Sequence, residues 1–252
     1  MRRFLFGFLT VLTLFSCSSH LFVSQINTTS NSIIDSSVGR DSAIESLVKP
    51  YRDSISTIMN KLVCVTATPF IKGKPESKLT NLVADIILNC GIDYCRQNKL
   101  EIQPVASYVN YGGLRASLPQ GEITVGHIFE LMPFENEIVL IKISGESIEK
   151  MAEKVAGRGG EGVSGLKIGI QGGSLKTLKI NGKDVDRTSS YWLVTNDYIA
   201  NGGDQMNMFL DPLEKIETKQ KIRDYLIQSL GEIYKKNGVI DVKLDGRIYN
   251  EQ

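Results

Sequence analysis

The alternation of helical and extended apolar patterns along these 252 residues predicts an α/β (α+β) fold, a mixed sheet with flanking helices. Amphipathic stretches of helical spacing alternate with short aliphatic runs of strand length. Asn181-Gly182 stands between two extended stretches and marks a hairpin turn. No repeat is visible, and no second long apolar run follows the N-terminal one. The composition, 42% apolar and 23% charged, is that of a globular domain.

The first residues read as an address. Arg2-Arg3 precede an apolar run over 4–15 that is too short to span a bilayer and has the charge order of a secretory signal. It ends in Leu14-Phe15-Ser16-Cys17, the pattern of a bacterial lipobox. Residues 1–16 are therefore expected to be a lipoprotein signal peptide, with Cys17 as the lipidated N-terminus. Two or more acyl chains on one cysteine give a stable anchor, which places the protein at a bacterial cell envelope, on the periplasmic or outer face. An ordinary signal peptide with an incidental cysteine is the other reading. Residues 17–40, rich in Ser, Thr and Asn, read as a flexible tether, and 41–252 as the folded domain.

Within that domain, Leu47, Val48, Tyr51, Ile55, Ile58 and Met59 give helical spacing over 46–61, and residues 62–66 read as a buried strand. Leu79, Leu82, Val83, Ile86, Ile87 and Cys90 form one face of a second helix. Residues 104–109 are a strand closed by the turn Asn110-Tyr111-Gly112-Gly113. A short helix over 125–131 stops at Pro133, and 137–144 is a strand feeding a helix over 146–156. The five glycines of 157–165 read as a loop. Strands follow at 166–170, 177–180 and 191–195, then a helix over 218–236, and the chain finishes past Gly246-Arg247-Ile248.

Charge and composition exclude several chemistries. With 29 basic against 28 acidic residues and no basic stripe, nucleic acid is not an expected partner. The histidines are His20, in the tether, and His127, too few for a dinuclear metal site and poorly placed for a histidine-based triad. Beyond Cys17 the cysteines are Cys64, Cys90 and Cys95, with no CxxC. Cys90 and Cys95 fall on different faces of one helix, which argues against a mutual disulfide.

Three local groupings remain. Asn110-Tyr111-Gly112-Gly113-Leu114-Arg115 puts an amide, two glycines and a guanidinium at a strand end. Pro133-Phe134-Glu135-Asn136 puts a ring and an amide one residue apart. Tyr198-Ile199-Ala200-Asn201-Gly202-Gly203-Asp204 puts an aromatic and a carboxylate around a Gly-Gly turn, where the backbone approaches without a Cβ. Each alone also reads as ordinary turn chemistry. Together they supply two aromatic faces, an amide for a base edge, a carboxylate for a diol and an arginine for phosphate.

The same stretches, with Leu79-Thr80-Asn81-Leu82-Val83-Ala84-Asp85, Met132, Val163-Ser164-Gly165-Leu166 and Asn196-Asp197 ahead of Tyr198, carry a family resemblance. The chain resembles the C-terminal, substrate-binding domain of the bacterial 5′-nucleotidase family (UDP-sugar hydrolase/5′-nucleotidase type). The resemblance implies that Phe134 and Tyr198 sandwich a base, Asn136 contacts its edge, Asp204 takes the ribose hydroxyls and Arg115 the phosphate side. Tyr198 stands where the family often has Phe. The family's hydrolysis is done by a separate metallophosphoesterase domain with no counterpart among these residues. The implied protein has no catalytic residue, metal site or cofactor of its own and is not active alone. It is a lipid-anchored nucleoside or nucleotide binder working with a separate metallophosphoesterase, which would hold any divalent metal. A non-catalytic nucleotide-capturing or structural envelope lipoprotein is the alternative. Upstream arginines that hold phosphate in the family are replaced here by Lys72, Lys74 and Lys78, which lack the bidentate fork.

Overall fold

The computed structural model describes residues 37–251 together with 23, 25, 26, 28, 31 and 33–35; the expected signal peptide, Cys17 and His20 lie outside the described residues. In chain order the elements are α1 (Ser42–Met59), β1 (Leu62–Thr66), α2 (Lys78–Gln97), β2 (Ala106–Val109), β3 (Gly121–Thr124), α3 (Val125–Leu131), β4 (Glu137–Ser144), α4 (Gly145–Gly157), β5 (Gly162–Ser164), β6 (Leu166–Gln171), β7 (Ser174–Ile180), β8 (Lys183–Asp184), β9 (Ser190–Asn196), α5 (Asp197–Ala200), β10 (Glu214–Lys221), α6 (Ile222–Asn237) and β11 (Ile248–Asn250). The chain divides into two units, Met1–Leu47 and Val48–Gln252, and the sheets belong to the second.

Helix α1 starts four residues before the expected range of 46–61 and ends at Met59. Asp41 caps it, its carboxylate accepting from the amides of Ala43 (2.8 Å) and Ile44 (3.1 Å). Val48, Tyr51, Ile55 and Ile58, whose spacing predicts the helix, stand in solvent, while Met59 packs on the core. Helix α2 begins where Ser77 and Thr80 form a capping box, the Thr80 amide donating to Ser77 Oγ at 3.2 Å and the Ser77 amide to Thr80 Oγ1 at 3.1 Å. Cys64, Cys90 and Cys95 are all buried, free thiols.

The central sheet runs β10-β4-β9-β2-β5, antiparallel except between β2 and β9. Its strands alternate two cores on its two faces. Ile138 and Leu140 of β4, Val109 of β2 and Val194 of β9 join α2, α3 and α6 on one side. Val139, Ile141, Ile143, Ala106, Tyr108 and Leu193 join α4 and β6 on the other. Beyond α4 lies a second sheet, β11-β6-β7-β8. Asn181 (φ 49°) and Gly182 (φ 79°) make the β7–β8 turn, and Gly172-Gly173 closes a further hairpin between β6 and β7. The C-terminal segment is clasped by Arg247, which bonds both oxygens of Asp85 at 2.6 and 3.1 Å and the Val163 carbonyl at 2.9 Å.

Two readings are corrected here. Residues 218–221 open as strand, not helix: β10 is a charged edge strand whose one fully buried residue is Thr218, and the helix starts at Ile222. The glycine-rich stretch 157–165 is not all loop. α4 runs to Gly157, and Gly162–Ser164 forms β5 against β2, where a side chain at Gly162 would come within 3.1 Å of the Val109 carbonyl.

Candidate functional site

Strand direction assembles the site. β2 and β9 are parallel, so their C-terminal ends share one edge of the sheet, and antiparallel β4 brings its N-terminal end to the same edge. The segments leaving or entering there are 110–115, 134–136 and 196–204. They enclose a pocket of about 340 Å³ lined by Asn110, Gly112, Gly113, Arg115, Phe134, Asn136, Tyr198 and Asp204. All five residues expected at the site line this pocket, and its volume is in the range of small-molecule clefts.

The third segment carries the tightest geometry. Asn196 caps α5, its side-chain oxygen accepting from the Ile199 amide at 2.8 Å, and Asp197 accepts from the Tyr198 amide at 2.8 Å. The chain then turns through Gly202 (φ 83°) to Asp204, itself left-handed (φ 51°, ψ 35°), a conformation Asp tolerates better than most residues. Gly203 is required: a Cβ there would sit 2.5 Å from both the Tyr198 ring and the Tyr198 carbonyl. The Tyr198 hydroxyl donates to Asp204 Oδ1 at 3.0 Å and accepts from the Asp204 amide at 3.2 Å. Asn110 Nδ2 donates to Asp204 Oδ2 at 2.7 Å, and Asn196 Nδ2 reaches Asn110 Oδ1 at 3.5 Å. Each carboxylate oxygen of Asp204 thus keeps a lone pair for a hydroxyl of a ligand.

The second segment is held from α6. Ile222 donates to the Asn136 carbonyl at 3.0 Å, and buried Arg223 bonds Glu135 and the Met132 and Pro133 carbonyls with its guanidinium 3.9 Å over the Phe129 ring. Hydrogen bonds from Lys221, then Arg223, hold the Glu135 carboxyl down at about 2. Phe134, between these anchors, is 48% exposed and Tyr198 47%, and both rings line the same pocket.

At the first segment Lys72 Nζ lies 4.0 Å and Lys74 Nζ 4.9 Å from the centre of the Tyr111 ring. Lys72 donates to the Leu114 carbonyl at 2.5 Å, and its ammonium is pushed below the usual lysine value by burial and by Arg115. His127 is structural: Nδ1 accepts from the Thr124 amide at 3.0 Å and caps α3. Among the described residues no group of three or more His, Cys, Asp or Glu is gathered as a metal site would require.

The family description "5′-nucleotidase, C-terminal domain" matches residues 62–211. The chain belongs to that family. A 5′-nucleotidase-related protein of Glossina morsitans morsitans is 24% identical over 240 residues, covering 85% of this chain and 42% of the relative. A probable 5′-nucleotidase of Treponema pallidum is 31% identical over 114 residues, 38% of this chain and 19% of that protein. Among solved structures, a 5′-nucleotidase precursor from Thermus thermophilus superimposes with a TM-score of 0.70 at 24% identity, over 82% of this chain and 42% of that one. At that identity the likeness is one of fold. This 5′-nucleotidase C-terminal domain therefore spans about two fifths of the length of the Glossina and Thermus proteins.

Sequence reasoning left four residues out of the site. Asn110 and Asn196 lie at strand ends, and the sequence names them only within the turn 110–113 and the resembling stretch 196–204 until the fold joins them to Asp204. Arg158 and Glu161, in the glycine-rich connection after α4, reach the site from behind. Arg158 donates to the Asp204 carbonyl and, at 3.4 Å, to Glu161, while Glu161 accepts from the Tyr111 amide. No local pattern announces them.

Proposed function

We propose that this chain is the nucleoside- or nucleotide-binding half of a 5′-nucleotidase system. Phe134 and Tyr198 stack the base, Asn136 contacts its edge, Asp204 takes the ribose hydroxyls and Arg115 faces the phosphate. The observation that supports this reading most is the convergence of two half-exposed aromatic rings on a carboxylate already oriented by Asn110 and Tyr198, in one pocket at one sheet edge. A flat ring bearing vicinal hydroxyls fits that combination, since stacking supplies affinity of about 1–3 kcal/mol per base and the carboxylate supplies orientation.

Calorimetric titration with adenosine, AMP and UDP-glucose tests it. Binding that is lost in Phe134→Ala and Tyr198→Ala supports the assignment; binding unchanged in both, or none in the native chain, overturns it. As part of the same proposal, turnover is assigned to a separate metallophosphoesterase. Mixing the purified chain with such a partner and AMP is expected to raise phosphate release. Binding without any gain would instead favour a capture role. Anchoring through Cys17 is part of the same proposal, and Cys17→Ala is expected to move the protein from the membrane fraction to the soluble one.

A further inference from the structure

We propose that Arg158 and Glu161 form a positioning pair that fixes Asp204 and the Tyr111 turn relative to each other, so that the diol-reading carboxylate meets its ligand in register. The inference rests on the nucleoside reading above. Neither residue lines the pocket, and both act through residues beside or in it. Glu161 is only 5% exposed, and both its oxygens are engaged, one by the Tyr111 amide and the other by Arg158 at 3.4 Å. A buried carboxylate without such partners is strongly disfavoured, so the turn amide and the guanidinium hold it in place and it holds them.

Arg158 spans the other half. One nitrogen of its fork donates to the Asp204 carbonyl; the second lies 3.5 Å from the Tyr108 hydroxyl and 3.4 Å from Glu161. Asp204 is the left-handed middle residue of the 3-10 turn Gly203–Gln205, whose backbone bond runs from the Met206 amide to the Gly203 carbonyl, so the Asp204 carbonyl is left for this charge-assisted partner. The pair is itself seated: Lys74 donates to the Arg158 carbonyl, and a Cβ at Gly160 would lie 2.1 Å from the Pro75 carbonyl. The connection cannot drift without moving Lys74-Pro75. Through two residues three apart, segments 46 and 50 positions away in sequence are tied into one frame.

The frame makes a distinction that general damage would not. Arg158→Met is expected to lower adenosine affinity about tenfold, a loss of about 1.4 kcal/mol, and to leave 2′,3′-dideoxyadenosine nearly unchanged. The adenosine loss shrinks in an Asp204→Asn background, because the two residues act on one contact. Arg158→Lys, which keeps the charge but not the fork, recovers part of it. Equal loss for both ligands, or no loss, overturns the proposal, as does full additivity with Asp204→Asn.

A ligand-free measurement separates this inference from the function on which it rests. In the native chain the Tyr111 amide proton is expected downfield and to move with pH as Glu161 titrates, and in Glu161→Gln that movement disappears. The groups facing Glu161 are Arg158 on its own loop, Lys72 and Lys74 ahead of α2 and Tyr108 on β2, the last of which also faces Asp204. The Asp204 carbonyl carbon is expected to shift in Arg158→Met. If neither resonance responds, the pair positions nothing. If both respond while the native chain binds no adenosine, the nucleoside reading falls and the frame stands. Near-ultraviolet circular dichroism of each variant checks that the fold is retained.

Discussion

Tyr198→Phe separates the two tasks that one side chain performs in this pocket. The ring is 47% exposed and available for stacking, and its hydroxyl joins Asp204 twice, donating to Oδ1 at 3.0 Å and accepting from the amide at 3.2 Å. A hydrogen bond to a charged acceptor contributes about 1.5–3 kcal/mol when buried, and half exposure reduces that to about 1 kcal/mol here. Urea denaturation followed by far-ultraviolet circular dichroism is expected to show a loss of that size, with a fall in Tm of about 2–4 °C. Adenosine affinity by calorimetry should stay within about threefold, since the stacked face is retained and Asp204 gains a free lone pair. Tyr198→Ala removes the face as well and is expected to weaken adenosine by about 1–3 kcal/mol, roughly 5- to 150-fold. The reasoning is refuted if Tyr198→Phe loses as much affinity as Tyr198→Ala. It is equally refuted if the phenylalanine variant is as stable as the native chain.

Three further outcomes follow from the fold. Gly165→Ala, at φ 73° with a Cβ 2.1 Å from the Val105 carbonyl, should destabilise the domain by about 2 kcal/mol or more, read as a drop in the urea midpoint. Glu135, held near 2 by Lys221 and Arg223, contributes stability that is present above the ordinary glutamate value of about 4.3 and lost as pH falls toward 2. Glu135→Gln should therefore flatten the acid limb of a stability–pH profile in that window. Asp85→Asn presents an N–H donor to Arg247 in place of one carboxylate oxygen and should cost about 1–2 kcal/mol, the 39% exposure of Asp85 keeping the loss moderate. Chemical denaturation of both chains measures it.

The parts of the fold that sequence alone made visible are those whose burial pattern is strong. β4 shows four consecutive aliphatics because both its faces are covered, and α2 shows its stripe because one face meets the sheet. β10 escaped because it pairs with β4 alone and carries charges outward, so its period-2 signal is almost empty. β5 escaped because three residues, one of them glycine, hold no periodicity. At the site, aromatic and carboxylate were legible by type. The left-handed turn that brings the Tyr198 hydroxyl onto Asp204 was not, since it depends on backbone angles and on Asn110 arriving from another strand. Arg158 and Glu161 were hidden for the same reason: their partners are 46 and 50 residues away and are backbone atoms, which sequence does not single out.

The hydrogen bond between Asn110 and Asp204 closes a span of 94 residues. No hairpin or helix contains both halves of the pocket, so the pocket exists only when β2, β4 and β9 have all docked. A ligand held there is a non-covalent cross-link over that span, and its binding energy is drawn wholly from the folded state. At a free concentration one hundred times its dissociation constant it would add about 2.7 kcal/mol to the stability of the entire unit. Heat or protease resistance of the whole domain therefore reports occupancy of this one edge, and screening candidate nucleosides needs no knowledge of the reaction they enter.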